Sequence, residues 1–579
     1  MNNGIMVNGF YNSNDGDDVN LNDLKKKSMK SLEDVATPEF KQEFSAYLKS
    51  KNPLFYITMI EENRFLAFLK IFCISNGYKC FYWDAYRGLV DIFTQKAAGS
   101  NSESLSSDPI AMLEYIINEN KSFFESPSSV DKQRIDGVNG HIYVLLDFFR
   151  FMRPDPEVER RLKEISNFGS IITTILTGPV YKTTEVLENI IPVVDFPYAN
   201  NNEIKNSLYD VVNGVKRQIH TIERDTKEIE EDLINAVRGL TLFEAQTAYA
   251  KSLVIHKKWD IDTILKEKRQ IISKSGELEY IEKRVPLSEI GGLKNLIRWI
   301  QKRKKCFSKA AEEYGLTKPK GILTIGYPGV GKSLVCKAVS SCWGMPLLRL
   351  DFGTLFNSYV GQSEANVRKA IRMAEAVQPS ILWVDEIEKA ISGIRSSGRS
   401  DSGTTSRVLS IFLTWMQEKE SSVFVVATAN DHSSIPPEFL RAGRFDEIFF
   451  VDLPNKVERR EIFEVILRKN QLLPDDYDIG KFIIDTDGFS GAEIEKVIEN
   501  SKIEAFYDGE RVVSNKDISN SIPTVIPLSK IRDTDFDELK EWASNSGVLM
   551  ANESFKEDVG INFDYTKKLD IHYEKELDI

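Results

Sequence analysis

The sequence is short of the residues that build disulfide, redox and metal chemistry. Its 579 residues include five cysteines and five histidines. Cys73, Cys80, Cys306, Cys336 and Cys342 form no C-x-x-C pair. Reduced thiols in a cytosol-like compartment are the simplest reading. The scattered histidines exclude an obvious histidine-rich metal site. No apolar run reaches a membrane-spanning length and the N-terminus has no signal-peptide pattern, so a soluble protein that stays where it is made is expected, with no membrane partner. Positive charge is also in deficit: 75 Lys and Arg stand against 87 Asp and Glu, a net charge of −12. That balance opposes broad binding to nucleic acid or anionic membrane. A local basic patch is still possible; Lys302-Arg-Lys-Lys305 is one such run, and it reads as a solvated helix face.

What is present is ordinary globular composition, 42% hydrophobic and 28% charged, in a chain too long for one core. Three or four domains are expected. The chain is organised around Gly326-Tyr-Pro-Gly-Val-Gly-Lys-Ser333. An apolar run, Gly321 to Ile325, precedes it, and Leu334 to Val339 reads as a helix. Strand, glycine-rich turn and helix are the context in which G-x4-G-K-[ST] denotes a phosphate-binding loop. Gly326, Gly329 and Gly331 permit backbone angles and approaches that side chains block. The turn amides and the positive end of the helix then face phosphate. Lys332 is placed to reach the β- and γ-phosphates, and the Ser333 hydroxyl to ligate Mg²⁺.

Ahead of this loop, residues 1–40 are rich in Asn, Asp and Gly and read as a disordered tail. Residues 41–200 alternate apolar strands with helices. The strands are read at Leu54–Ile60, Lys79–Trp83, His141–Asp147, Ser170–Leu176 and Ile190–Asp195, and the helices at Glu61–Ser75 and Pro109–Asn118. Such alternation implies a parallel sheet covered on both faces. No phosphate loop follows its first strand; Glu61-Glu-Asn-Arg64 stands there and would repel phosphate. Asp147 ends an apolar strand but is followed by Phe148 rather than an acid, so it reads as a turn or cap residue. The domain is therefore a nucleotide-hydrolase-like α/β sheet without catalytic parts. Residues 201–285 read as a charged helical subdomain, with Thr241 suited to an N-cap and a joint from Glu277 to Pro286.

Residues 286–455 carry the chemistry. Ser380-Ile-Leu-Trp-Val-Asp-Glu386 is an apolar strand ending in two acids. Asp385 suits Mg²⁺ and Glu386 suits orientation and activation of a water attacking the γ-phosphate. Ser422 to Asn430 is another buried strand, whose terminal Asn430 would stand beside that water. Leu440-Arg-Ala-Gly-Arg-Phe-Asp446 carries two arginines. Arg441 and Arg444 are either surface ion-pair partners or arginine fingers projected into a neighbour's site. Helices at Val457–Asn470, Ile479–Thr486 and Gly491–Asp508 form a lid over residues 456–525, and residues 526–579 form an extension with a short helix at Phe536–Ser544 and a charged tail from Asn552.

The set Gly326–Ser333, Asp385-Glu386, Asn430 and Arg441/Arg444 resembles the AAA ATPases of the protein-remodelling type, in order and in the eleven-residue step from Asn430 to Arg441. The resemblance implies an α/β P-loop NTPase core with a small helical lid, ATP and Mg²⁺ as ligands, and a homo-oligomeric, hexameric ring. It implies nucleotide contacts from Gly291, Gly326, Pro328, Gly329, Val330, Gly331, Lys332, Ser333 and Leu334, and from Gly491 and Ala492 at the start of a lid helix. Asn430 would be sensor 1, and Tyr359 and Val360 would form a pore loop gripping polypeptide. Over roughly Pro53 to Asn552 the chain further resembles the AAA proteins of cyanobacteria and algal plastids, which implies a cytoplasmic or stromal location. Ser392–Ser406 departs in being serine-rich. Two outputs follow with equal weight: remodelling of a protein substrate, or an ATP-gated scaffold whose N-terminal domain binds a partner. A nucleic-acid motor is disfavoured by the acidic balance.

Overall fold

The computed structural model describes residues 35–98, 108–125, 139–168, 171–181, 183–184, 186–282, 285–356, 362–388, 402–433, 435, 438–531 and 533–553. Two compact units, Met1–Leu265 and Lys266–Ile579, divide within the Ile261–Ser275 helix.

The first unit is built on β1 (Leu54–Thr58), β2 (Tyr78–Asp84), β3 (Gly88–Asp91), β4 (Gly140–Leu145), β5 (Ile172–Gly178) and β6 (Val193–Asp195), in the order β3-β2-β4-β5-β1-β6. All neighbours are parallel except β3, which pairs antiparallel with β2. Every residue of β1, β4 and β5 is buried, as expected of strands covered on both sides. Phe44, Phe55, Phe68 and Phe72 pack in one layer, with ring centroids 5.0–5.9 Å apart around Phe44. Trp83, Met112, Ile116 and Leu162 belong to the other. Truncating a fully buried ring such as Phe44 costs about 3–5 kcal/mol.

Three expectations for this unit are corrected. The tail does not extend to residue 40. Thr37 accepts from Phe40 N–H to cap the Pro38–Lys49 helix, and Ala36 and Phe40 are buried. Residues 1–34 lie outside the described set. The hairpin strand β3 was not anticipated; Asp84 Oδ1 accepts from Tyr86 and Arg87 N–H (2.8 and 2.6 Å), turning the chain back at Gly88. β6 starts at Val193 rather than Ile190, because Pro192 has no N–H and joins the ladder only through its carbonyl, which accepts from Tyr56 N–H at 2.8 Å.

Helices Asn201–Val215, Ile222–Glu228, Glu230–Val237 and Leu242–His256 complete the unit. Thr241 caps the last of these in a reciprocal capping box with Glu244. Where a phosphate loop would follow β1, Arg64 lies buried between two acids, 3.0 Å from Glu61 and 3.7 Å from Glu203. Leu242 N–H donates to Glu61 (2.6 Å), Arg64 donates to the Pro197 carbonyl, and its guanidinium lies 4.4 Å from the Phe196 ring centroid. Burial raises the pKa of both carboxyls, against the pull of the guanidinium. Asp147 is exposed, left-handed at φ 53°, and pairs loosely with Arg150 at 3.7 Å.

The second unit is built on β7 (Glu279–Ile281), β8 (Gly321–Gly326), β9 (Leu347–Leu350), β10 (Ser380–Val384), β11 (Val423–Ala429), β12 (Glu447–Val451) and β13 (Leu549–Met550), in the order β13-β12-β8-β11-β10-β9-β7. Only β7 runs antiparallel to its neighbour. Both sheet edges correct the sequence reading. Glu279–Ile281, placed in a helical subdomain, is an edge strand on β9. The C-terminal extension closes the opposite edge: β13 pairs with β12, and Leu539, Ala543, Val548 and Ala551 join the core. β12 was also not anticipated.

The lid consists of helices Lys456–Lys469, Ile479–Asp485, Gly491–Tyr507 and Asn515–Ser521, packed around Phe463, Phe482, Ile494, Val497 and Ile518. Capping boxes at Asn455/Glu458, Ser490/Glu493 and Ser514/Asp517 start three of them. Asn552 ties lid to sheet: its Oδ1 accepts from Asp452 N–H and its Nδ2 donates to Glu458, both at 2.9 Å.

Candidate functional site

β8, β11 and β10 are parallel neighbours, so their C-terminal ends lie side by side. From the end of β8 the chain turns through Gly329 (φ +80°) and Gly331 (φ +102°) into the Lys332–Trp343 helix. Gly331 supplies no side-chain cap, which leaves first-turn amides directed outward at the positive helix end. Val330 is buried in the core and anchors the loop; Pro328, Ser333 and Leu334 are exposed.

Lys332 is buried, and its Nζ donates to the Gly326 and Tyr327 carbonyls at 2.7 and 2.6 Å. Burial lowers its pKa to about 8, opposed by the nearby carboxylates of Glu388, Asp385 and Glu386. The loop is therefore electrostatically joined to the acidic segment that follows β10.

The ends of β10 and β11 form one polar lattice. Thr428, 1% exposed, donates from Oγ1 to Asp385 Oδ1 (2.7 Å) and accepts from Glu386 N–H (3.0 Å). The register of β10 on β11, Val384 opposite Ala427, produces this contact. Glu386 is left-handed at φ 48°, turning the chain so that Asn430 Nδ2 donates to Glu386 Oε1 at 3.2 Å. Arg349 on β9 pairs with Asp385 at 3.3 Å and with Glu279 on β7 at 3.4 Å. Thr428, Glu388 and Arg349 were not singled out from the sequence.

The lid meets the loop. Ala492 N–H donates to the Gly329 carbonyl at 3.1 Å, and a Cβ on Gly329 would stand 2.9 Å from Ser490 Oγ and 3.1 Å from Ala492 Cβ. Gly291 packs on the first lid helix, where a Cβ would stand 2.6 Å from Ile462 N; beside it Gly292 and Leu293 N–H donate to Glu461 and Glu458 (2.9 and 3.2 Å). Gly326–Ser333, Asp385, Glu386, Asn430, Gly491 and Ala492 thus converge, with Gly291 held against the lid.

Arg441 and Arg444 do not join them. Asp446 Oδ2 accepts from Lys320 and Gly321 N–H (2.7 and 2.9 Å), and Lys320 Nζ donates to the Gly443 carbonyl (2.9 Å). This loop is tied to the start of β8, five residues and about 16 Å from the phosphate-loop end. Arg441 is exposed, and Arg444 donates to the Glu438 carbonyl with its Nε unpaired. Tyr359 and Val360 lie outside the described residues, as does most of Ser392–Ser406.

Among the described residues no cluster of three or more His, Cys, Asp or Glu could hold a metal. The Ser333 hydroxyl and Asp385 carboxylate are hard oxygen donors, which suits Mg²⁺, an ion that leaves most of its positions to water and substrate phosphate.

A strand–glycine loop–helix with a buried lysine, facing carboxylates on neighbouring strand ends, defines an α/β P-loop nucleoside triphosphatase core. The comparisons narrow this. Residues 322–453 match the ATPase family associated with various cellular activities (AAA). Residues 40–196 match the SpoVK-like AAA ATPase N-terminal domain, and residues 202–275 its second domain. The chain belongs to the AAA family of ATPases. It is similar to the "Uncharacterized AAA domain-containing protein ycf46" of Guillardia theta, 36% identical over 527 residues, which covers 89% of this chain and 96% of that protein. The protein of the same description from Gracilaria tenuistipitata var. liui is 37% identical over 523 residues, covering 89% and 100%. "ATPase family gene 2 protein homolog A" of Homo sapiens is 32% identical over 254 residues, covering 42% of this chain and 28% of the human protein. Among the described residues no helix is long and apolar enough to cross a membrane.

Proposed function

We propose that the chain hydrolyses Mg·ATP to ADP and phosphate in a homo-oligomeric, hexameric ring, in a cytosolic or stromal compartment, and uses the cycle to remodel a protein substrate or complex. The observation that carries the hydrolysis reading is the lattice joining Thr428, Asp385, Glu386 and Asn430 opposite the buried Lys332. Loop amides and Lys332 bind the triphosphate, with Gly491 and Ala492 covering the nucleotide. Ser333 and Asp385 would hold Mg²⁺, which when bound neutralises phosphate charge. Glu386 takes a proton from the attacking water, and Asn430 orients that water. Arg441 and Arg444 act on a neighbouring subunit's site, a role supported by their distance from the phosphate loop of their own chain. Tyr359 and Val360 would grip the translocating polypeptide.

The test is Glu386→Gln in the full chain. Nucleotide binding is expected to persist while hydrolysis falls to almost nothing; full turnover by this variant overturns the assignment. Used as affinity bait, the same variant should retain its protein substrate. A second reading, an ATP-gated scaffold, is favoured by the buried Glu61–Arg64–Glu203 group, which supports a first unit that binds a partner rather than nucleotide. Under that reading Tyr359→Ala changes nothing downstream of hydrolysis, whereas a threading remodeller loses substrate processing.

A further inference from the structure

Beyond the residues proposed to touch substrate, the lattice contains a third carboxylate. Glu388 is half-buried, and its Oε1 accepts from both Asn430 N–H and Asn430 Nδ2, each at 3.0 Å. The same Nδ2 donates to Glu386 Oε1 at 3.2 Å. A primary amide nitrogen carries two protons, so one serves each carboxylate. The left-handed Glu386 and the fully buried Ile387 between the acids turn both carboxylates onto one asparagine. Burial raises the pKa of Glu388, with the Asn430 donors opposing that shift.

Amide torsions of Asn are broad and nearly two-fold, so packing alone does not decide which end faces Glu386. We infer that Glu388 is a positioning residue that fixes the Asn430 amide with its nitrogen toward Glu386 and its oxygen left to accept from the attacking water. The inference rests on the ATPase reading and deepens it. Glu388 transfers no proton in this role: an acceptor oxygen at Oε1 suffices.

The experiment compares Glu388→Gln with Glu388→Met in the full-length protein, measuring kcat, KM, binding of a non-hydrolysed ATP analogue and melting temperature. Glutamine keeps the acceptor and is expected to stay within about threefold of wild type. Methionine keeps the length and loses the acceptor; kcat is expected to fall roughly 10- to 100-fold with KM and analogue binding unchanged, as for other lost orienting groups. Wild-type turnover in Glu388→Met overturns the inference. So does loss of turnover in Glu388→Gln as deep as in Glu386→Gln, which would make residue 388 a proton-transfer group. A joint fall of melting temperature, analogue binding and kcat in both variants would reduce it to a fold residue. A wild-type protein without Mg·ATP hydrolysis overturns the ATPase reading as well, and so is distinguishable from these outcomes.

Discussion

Arg349 holds its guanidinium 3.3 Å from the carboxylate of Asp385, the residue proposed to hold Mg²⁺. The same guanidinium reaches Glu279 on the edge strand at 3.4 Å and lies 5.2 Å from the Trp383 ring centroid. A cation on a metal-binding carboxylate competes with the metal. Arg349→Met is expected to lower the Mg²⁺ concentration for half-maximal ATP hydrolysis by roughly three- to tenfold, the worth of about 1 kcal/mol. A rise in that concentration would instead mean that Arg349 holds Asp385 in its metal-ready rotamer.

The separation of Arg444 from its own phosphate loop gives a mixing test. Under the trans reading Arg444→Ala keeps an intact pocket and lacks a finger, while Glu386→Gln keeps the finger and lacks a working pocket. Each alone is expected to be nearly inactive, the former by about 10³–10⁵. Mixed assemblies are expected to recover turnover at interfaces that pair one pocket with the other's arginine. A mixture no more active than the sum of its parts would end the trans arrangement.

Gly329 couples the loop to the lid through one carbonyl and a space without a side chain. Its positive φ and the 2.9 Å approach of Ser490 Oγ leave no room for a methyl group. Gly329→Ala is expected to weaken ATP binding by more than tenfold, while the second unit's melting temperature falls by only a few degrees. Unchanged nucleotide affinity, measured by calorimetry, would separate the lid contact from binding.

His141 predicts an acid-sensitive first unit. It is buried on β4 with ring contacts to Phe81 and Tyr143, and burial, helped by Lys79, lowers its pKa from 6.5 to about 4. The unfolded chain binds a proton below pH 6.5 that the native state refuses until about pH 4. Stability is therefore lost as pH falls through that window, by about 3 kcal/mol in total. His141→Leu should flatten this part of the stability–pH profile. An unchanged profile would assign the sensitivity to other groups.

Asn552 offers a hinge test. It is buried, donates to Glu458 and accepts from Asp452 N–H. Asn552→Ala leaves a buried carboxylate short of a donor, a loss of about 1–3 kcal/mol. Hydrogen exchange is expected to rise across Asp452–Arg459, and equal protection in both proteins would refute the tie.

Most strands and the phosphate loop were legible in the sequence because they are local: apolar runs, three glycines and a strand-end acid pair each announce themselves within ten residues. What was missed depends on register between distant segments. Thr428 reads as one more β-branched strand residue until β11 lies on β10 and places its hydroxyl against Asp385. Glu388 and Arg349 likewise acquire meaning only through Asn430 and Asp385. Glu447-Ile-Phe-Phe-Val451 is a short apolar run without alternation, and a run of that kind does not by its period distinguish a buried strand from a helix segment. The edge strands β7 and β13 are three and two residues long, too short to show a period.

The ion group around Arg64 has a consequence for how the two halves would respond to the cell. A guanidinium clasped by Glu61 and Glu203, with Leu242 N–H donating to Glu61, fastens helices to sheet through the chain's own groups. If the first unit takes no nucleotide, such a closure would neither open nor tighten as adenylate levels swing. The first unit would then behave as a fixed fitting, and any rhythm in the molecule would have to originate in its other half.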